Sequence, residues 1–295
     1  MANAGARALL ALVWLLHFLP LPLLARLGWG LGALLHLLGG SRRRVALRNV
    51  ALCFPELSSQ QQAALVREHF GWLGRSLLER GVLWHASFAR LKRLIRVEGD
   101  VHFAERHPQT PVMWFAPHFL GLEQAGFSTQ LYQSRAAFDV YSEQSNPVFD
   151  AALLKGRGRF ERGELVNRKD GARAIVRAIR RGQVFLNPAD MDFGLRDAAF
   201  VPFFGVPAAT LLAPSRLARS LGMTVQPVIA EMLPGGRGYV VRFFEPWTDW
   251  PTDDPVADAR RMNAFIEAQV RLMPAQYFWV HKRFKTRPQG EPPLY

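Results

Sequence analysis

A single cysteine, Cys53, leaves this chain unable to close an intrachain disulfide, and nothing in it points to an oxidising compartment. No His or acid flanks that thiol in a nucleophile pattern, which favours a buried structural cysteine over a catalytic one. Acidic residues are also scarce. Asp and Glu number 24 against 37 Lys and Arg, a net charge of +13. Such an excess suits an anionic partner, whether nucleic acid, an anionic membrane or an acidic carrier protein; a merely solvated basic surface is the plainer alternative. Several catalytic signatures are missing: G-x-S-x-G, G-x-x-x-x-G-K-[ST], H-E-x-x-H, paired C-x-x-C and G-x-G-x-x-G. No nucleotide cofactor is therefore expected, and the His and Cys spacings give no metal site. No helix-turn-helix, RRM or zinc pattern appears, so nucleic acid is not expected as a partner.

What is present begins at the N-terminus. About half of the residues are hydrophobic (49%) and a fifth are charged (21%), which excludes a disordered chain. Ala8 to Ala25, 18 residues, carries no formal charge, and Leu27 to Leu38 is almost as apolar. That length is near the minimum for crossing a hydrocarbon core. His17, Pro20 and Pro22 interrupt it, so a tilted or interfacial helix is the alternative to a full span. Arg7 precedes the segment, while Arg26, Arg42, Arg43, Arg44 and Arg48 follow it. The positive-inside tendency then places the bulk of the chain in the cytoplasm. The expectation is an anchor over residues 1–40 and one catalytic domain over residues 41–295.

Beyond the anchor, Arg42 to Leu52 reads as a short basic helix stopped before Pro55. Ser59 with Gln62 suggests a capping box opening a helix to about Arg80. Buried strands are expected at Val112–Ala116, Phe138–Tyr141, Val184–Asn187, Val225–Ala230 and Tyr239–Phe244, with Pro227 arguing for an edge or a bulge. Helices are expected near Leu122–Gln133, Asn146–Arg157, Asp170–Arg181 and Thr210–Leu221, and a last one runs from Asp254-Pro255 to before Pro274. This alternation predicts an α/β fold: a mostly parallel or mixed sheet flanked by helices.

One constellation carries chemistry. The strand at Val112–Ala116 ends at Pro117, followed by His118-Phe-Leu-Gly-Leu-Glu123. Loops after the carboxyl ends of strands are where ligands collect in α/β sheets. Five residues on one regular helix would diverge by about 140°. With His118 on the loop and Glu123 in the first helical turn, the two side chains can meet. The imidazole would then act as general base and the carboxylate would fix its tautomer. A core histidine, with Glu123 as a helix N-terminal charge, is the bland alternative.

Ordered blocks along nearly the whole chain resemble one family. RRRVALRNVALCFPELS (Arg42 to Ser58), APHFLGLE (Ala116 to Glu123), SNPVFD with GRGRF (Ser145 to Phe160) and RKDGARAIVRAIRRGQ (Arg168 to Gln183) are similar to successive blocks of the lauroyl/myristoyl-type late acyltransferases of lipid A biosynthesis. PADMDFG with FVPFFGVPAAT (Pro188 to Thr210) and PAQYFWVHKRFKTRPQGEPPLY (Pro274 to Tyr295) continue the resemblance. It implies a glycerolipid-acyltransferase-like fold on the cytoplasmic face of a bacterial inner membrane. It also implies acyl carrier protein thioester as donor and a phosphorylated lipid A precursor as acceptor, with inner membrane lipids around the enzyme. His118, held by Glu123, would deprotonate a hydroxyl on a 3-hydroxyacyl chain, with no acyl-enzyme. Arg157 and Arg159 fall on the family's basic block, as candidates for the oxyanion or for acceptor phosphates, or as a solvated loop. Asp190 and Asp192 would orient one of those arginines or cap a turn. Asn146 matches a family position, but the run Tyr141 to Ser145 lacks the Arg the family often carries there. Trp279, His281, Lys282, Arg283 and Lys285 would dock headgroups or anchor the core. A lysophospholipid or glycerol-phosphate acyltransferase, or one acting on another glycolipid, is the enzymatic alternative. The non-enzymatic one is a basic membrane-surface binding module.

Overall fold

The computed structural model describes residues 2–295. Four helices come first: α1 (Ala2–Leu16), α2 (Leu21–Leu38), α3 (Gly40–Cys53) and α4 (Ser59–His85). A short α5 (Phe88–Leu94) leads into β1 (Ile95–Gly99), and α6 (Phe103–Arg106) into β2 (Val112–Phe115). Then α7 (Leu122–Tyr132), β3 (Ala137–Tyr141), α8 (Pro147–Arg157), β4 (Gly163–Asn167), α9 (Gly171–Arg180) and β5 (Val184–Asn187) alternate. A hairpin of β6 (Ala198–Phe203) and β7 (Val206–Leu211) stands apart, followed by α10 (Ala213–Leu221), β8 (Thr224–Met232), β9 (Tyr239–Phe243) and α11 (Pro255–Leu272).

Seven strands form one sheet in the order β1-β9-β8-β2-β5-β3-β4. All pairs are parallel except β8 with β9, so the sheet is mostly parallel and mixed, as expected. Successive side chains of a strand point to opposite faces. Thus Met113 and Phe115 join the core that holds Ala178 of α9, Ala218 of α10 and Ile266 of α11. Trp114 joins the other core, with Phe127 and Leu131 of α7 and Val82 of α4. The chain leaves β2 toward β3 on one side, and leaves β5 toward β8 on the other. The crevice between the carboxyl ends of β2 and β5 is therefore a topological switch point, the usual ligand position in such sheets.

Three expectations are corrected. The apolar run Ala8–Ala25 is not one helix: α1 ends at Leu16, and Pro20 caps the start of α2. Of the described helices, α2 alone is long and apolar enough to cross a membrane. Thr210–Leu221 does not open as helix, because Val206–Leu211 pairs antiparallel with β6 through a Phe204-Gly205 turn. Both turn residues have positive φ (51° and 76°), the conformation two-residue hairpins require. Finally, Pro227 lies inside the sheet. It is the last residue of β8 paired with β2, and pairing with β9 begins at Val228, so its missing N–H falls at the changeover. A smaller shift places the capping box at Ser58 and Gln61, one residue earlier than expected.

Helix α2 is docked lengthwise on α4 through Leu21, Leu24, Ala25, Gly28 and Gly32, which are buried. A Cβ at Gly32 would lie 2.1 Å from the Phe70 carbonyl, and one at Gly74 2.2 Å from that of Gly28. Opposite this stripe, Leu23, Leu27, Leu34, Leu37 and Leu38 are exposed, as are Leu9, Leu12, Trp14, Leu15 and Phe18 on and after α1.

Candidate active site

His118 sits on the loop leaving β2, beyond Pro117. The C-terminal segment straps this loop down: Phe278 N–H donates to the His118 carbonyl (2.9 Å) and Leu120 N–H to that of Gln276 (2.8 Å). The imidazole's carboxylate partner is Asp190, just past β5, with Nδ1 2.5 Å from its Oδ1. The His118 backbone N–H donates to both Asp190 oxygens at 3.1 Å, and the Tyr277 hydroxyl donates to Oδ2 at 3.0 Å. Asp190 is fully buried, which would raise its pKa. The adjacent imidazole and its hydrogen bonds outweigh that and hold the carboxyl well below the usual range. His118 keeps about a fifth of its side chain open to the cavity.

The pairing expected between His118 and Glu123 is thus replaced. Glu123, in the first turn of α7, accepts from Arg157 Nη2 (2.7 Å) and Nε (3.1 Å) and from the Trp84 indole (3.0 Å). Burial opposes its ionisation, but Arg157, then Arg80, bring its pKa down to about 2. Arg157 also reaches Asp139 of β3 at 3.3 Å. His118, Glu123, Arg157 and Asp139 all line one cavity of about 1400 Å³. Its apolar wall includes Leu35 of α2 and Phe70, Leu73 and Leu77 of α4, while Arg168, Arg196 and Arg216 are cationic groups elsewhere on its lining. That volume exceeds the few hundred to about 1,000 Å³ of ordinary small-molecule sites, so two amphiphilic substrates fit better than one compact metabolite.

Other predicted residues lie elsewhere. Asn146 caps α8, its side-chain oxygen accepting from the Val148 and Phe149 N–H groups. Arg159 is held by the Leu83 and Ala86 carbonyls (2.9 and 2.6 Å). Asp192 latches the C-terminus by accepting from Thr286 N–H (2.6 Å) and its hydroxyl (2.7 Å). Neither Asp190 nor Asp192 orients an arginine. Trp279 and Arg283 are fully buried core groups, Arg283 donating to the Ala209 carbonyl and Thr210 Oγ1, so they are not available to headgroups. Cys53 is buried, and burial pushes its thiol pKa up, as befits an inert thiol.

Asp139, Trp84, Tyr277 and Arg80 were not read from sequence as site residues. An acid inside the apolar run FDVY was the one available signal. Burial raises the Asp139 pKa to about 6 against the pull of Arg157, and its Oδ1 is buried without a hydrogen-bond partner. A carboxyl with a raised folded-state pKa stabilises the fold fully below its unfolded value. That contribution is lost as pH rises through the folded one. Wild-type stability relative to Asp139→Asn is therefore expected to fall by about 3 kcal/mol between about pH 4 and about pH 8. Urea unfolding in detergent at several pH values measures this, and a pH-independent difference would contradict the assignment.

A family profile described as bacterial lipid A biosynthesis acyltransferase matches residues 2–286. The chain belongs to that family. The acyltransferase is 34% identical to the lipid A biosynthesis lauroyltransferase of Escherichia coli (strain K12), over 97% of this chain and 93% of the relative. It is 32% identical to the palmitoleoyltransferase of the same strain, over 97% and 92%, and 32% to its myristoyltransferase, over 92% and 82%. The enzyme's C-terminal strap, Pro274 to Tyr295, is tied into the fold: Tyr277 and Thr286 donate to the two aspartates, and Trp279 fills the core.

Proposed function

We propose that the enzyme transfers a fatty acyl chain from an acyl carrier protein thioester to a hydroxyl on a 3-hydroxyacyl chain of a phosphorylated lipid A precursor. The observation that carries this reading is a buried, ionised Asp190 on His118 Nδ1, at a switch-point crevice lining an apolar and cationic cavity. Asp190 keeps the imidazole proton on Nδ1, which leaves Nε2 as the base. Nε2 takes the proton of the acceptor hydroxyl, and the oxygen attacks the thioester carbonyl. The tetrahedral intermediate collapses to the ester, and the departing thiolate takes the proton back from the imidazolium. The single cysteine, Cys53, is buried away from the cavity lining, which supports direct transfer without a cysteine acyl-enzyme. Arg80, which makes no ion pair or hydrogen bond among the described residues, supplies a cation to the cavity for the oxyanion or an acceptor phosphate. Glu123 acts one step away, by fixing Arg157.

Localisation follows from the same layer of helices. The outward apolar faces of α1 and α2 support our reading that the enzyme sits on the inner membrane, and the arginines that follow α2 support a cytoplasmic sheet. Because α2 is docked along α4, we read α1 and α2 as the membrane-facing layer of the catalytic unit more than as a tethered anchor. The net charge of +13 favours both the acidic carrier and anionic lipids.

Mass spectrometry of products tests the reaction. Detergent-solubilised enzyme is given acyl carrier protein thioesters and a phosphorylated tetra-acylated precursor, beside His118→Ala. One added acyl chain, reduced at least about 10³-fold in the variant, is expected. Transfer only to a lysophospholipid would move the reading to a phospholipid enzyme, and transfer unaffected in the variant would remove His118 from the mechanism.

A further inference from the structure

A second cavity, of about 540 Å³, lies where the carboxyl-terminal ends of α1, α4 and α8 meet. Its apolar wall is made by Leu10, Trp14, Phe18 and the indole of Trp84. Trp14 and Phe18 are about half exposed (46% and 62%), so the cavity opens on the same apolar face as α1 itself. Its polar lining is cationic or imidazole: Lys155, Arg159, His17 and His85, with no carboxylate among the described lining residues. The Arg159 guanidinium is clamped by two carbonyls and packed over Phe160 at 4.6 Å, so its charge is fixed in place. Lys155 is exposed and makes no hydrogen bond or ion pair among the described residues. The side chain of His85 is equally unengaged, with the His17 ring 5.6 Å away. Burial first, then His17, Arg159 and Lys155, lower the His85 pKa, which agrees with a positive potential here.

We propose that this cleft holds one anionic phospholipid, its phosphate against Lys155 and His85 and its upper acyl carbons along Trp14 and Phe18. Two chemistries converge there and on no zwitterionic or soluble ligand: a fixed positive field without a counter-charge, and an aromatic wall opening on an apolar helix face. The proposal rests on the membrane placement given above, but not on the transfer reaction. The cleft shares Trp84 with the active site, since the same indole donates to Glu123, and a Cβ on Gly156 would lie 2.5 Å from that ring. An occupant packed on Trp84 therefore holds the Glu123 and Arg157 pair from behind.

Native mass spectrometry of the full chain in detergent, titrated with dioleoylphosphatidylglycerol or dioleoylphosphatidylcholine, tests this without any turnover. Wild type is expected to retain one phosphatidylglycerol in preference to phosphatidylcholine. Lys155→Glu should lower that retention roughly tenfold, and Lys155→Arg should keep it. Lys155 is exposed, so the fold is not at stake. Equal retention of both lipids, or unchanged retention in Lys155→Glu, overturns the proposal. So does displacement by inorganic phosphate, which would mark a bare anion site, or one-for-one displacement by the phosphorylated acceptor, which would give the cleft to the substrate.

Discussion

Asp190→Asn is expected to lower kcat by about 10³- to 10⁴-fold, whereas Glu123→Gln should cost about 10²-fold or less. The difference follows from which atoms each carboxylate holds. Asp190 accepts from the His118 ring, the His118 backbone and Tyr277. An amide at that position satisfies the backbone N–H or the tyrosine with its oxygen and turns its NH2 toward Nδ1. The imidazole then accepts on Nδ1 and carries its proton on Nε2, where the base is needed. The tautomer is wrong although the ring has not moved. Glu123 touches Arg157 and Trp84 instead, so its amide analogue weakens the placement of a cation and leaves the base intact. KM should change little in Asp190→Asn and more in Glu123→Gln, because only the latter loosens a cavity wall. Steady-state kinetics on the two variants with one acyl donor series decides it. A larger loss in Glu123→Gln than in Asp190→Asn would return the orienting role to Glu123.

The change of partner on His118, from the expected Glu123 to Asp190, shows where sequence reasoning reaches its limit. His118 was legible because a strand ending in proline announces a loop at the sheet's carboxyl edge, and the structure puts it there. Its partner was not, because the nearest acid in sequence is five residues away while the nearest in space is 72 residues away. Adjacency of β2 and β5 is a property of strand order, and VMWF and VFLN carry no mark of being neighbours. The five expected strands all formed, since short apolar runs bounded by Gly, Pro and polar residues leave little alternative. β1 and β4 were missed: IRVEG alternates over only five positions and GELVN holds just two adjacent apolar residues, both at the sheet's edges. Of the two arginines expected at the oxyanion or the acceptor phosphates, Arg157 lines the large cavity, whereas Arg159, two positions on, lines the second cleft.

The packing of α2 on α4 was the least legible feature, and it gives the largest expected effect on stability. Gly32→Val should destabilise the protein by about 3 kcal/mol or more, because its Cβ would lie 2.1 Å from the Phe70 carbonyl, a backbone atom that cannot step aside. Two positions away, Gly30 faces open space, with nothing within 4 Å of an added Cβ. Gly30→Val exchanges a poor helix former for a better one and should be neutral or slightly stabilising. Both substitutions add the same apolar side chain to the same helix, so any effect on membrane insertion is common to both. Thermal unfolding in one detergent therefore isolates the helix contact. A drop in Tm on the order of 10 °C for Gly32→Val, absent in Gly30→Val, is expected. Equal behaviour of the pair would mean that α2 is held by the membrane alone. Activity should follow stability in this series: Leu35 of α2 and Phe70 and Leu73 of α4 line the large cavity, so prising the helices apart opens its apolar wall. Raised KM for the lipid substrate in Gly32→Val, at temperatures below unfolding, would tie the apolar N-terminal helices to the cavity as one working unit.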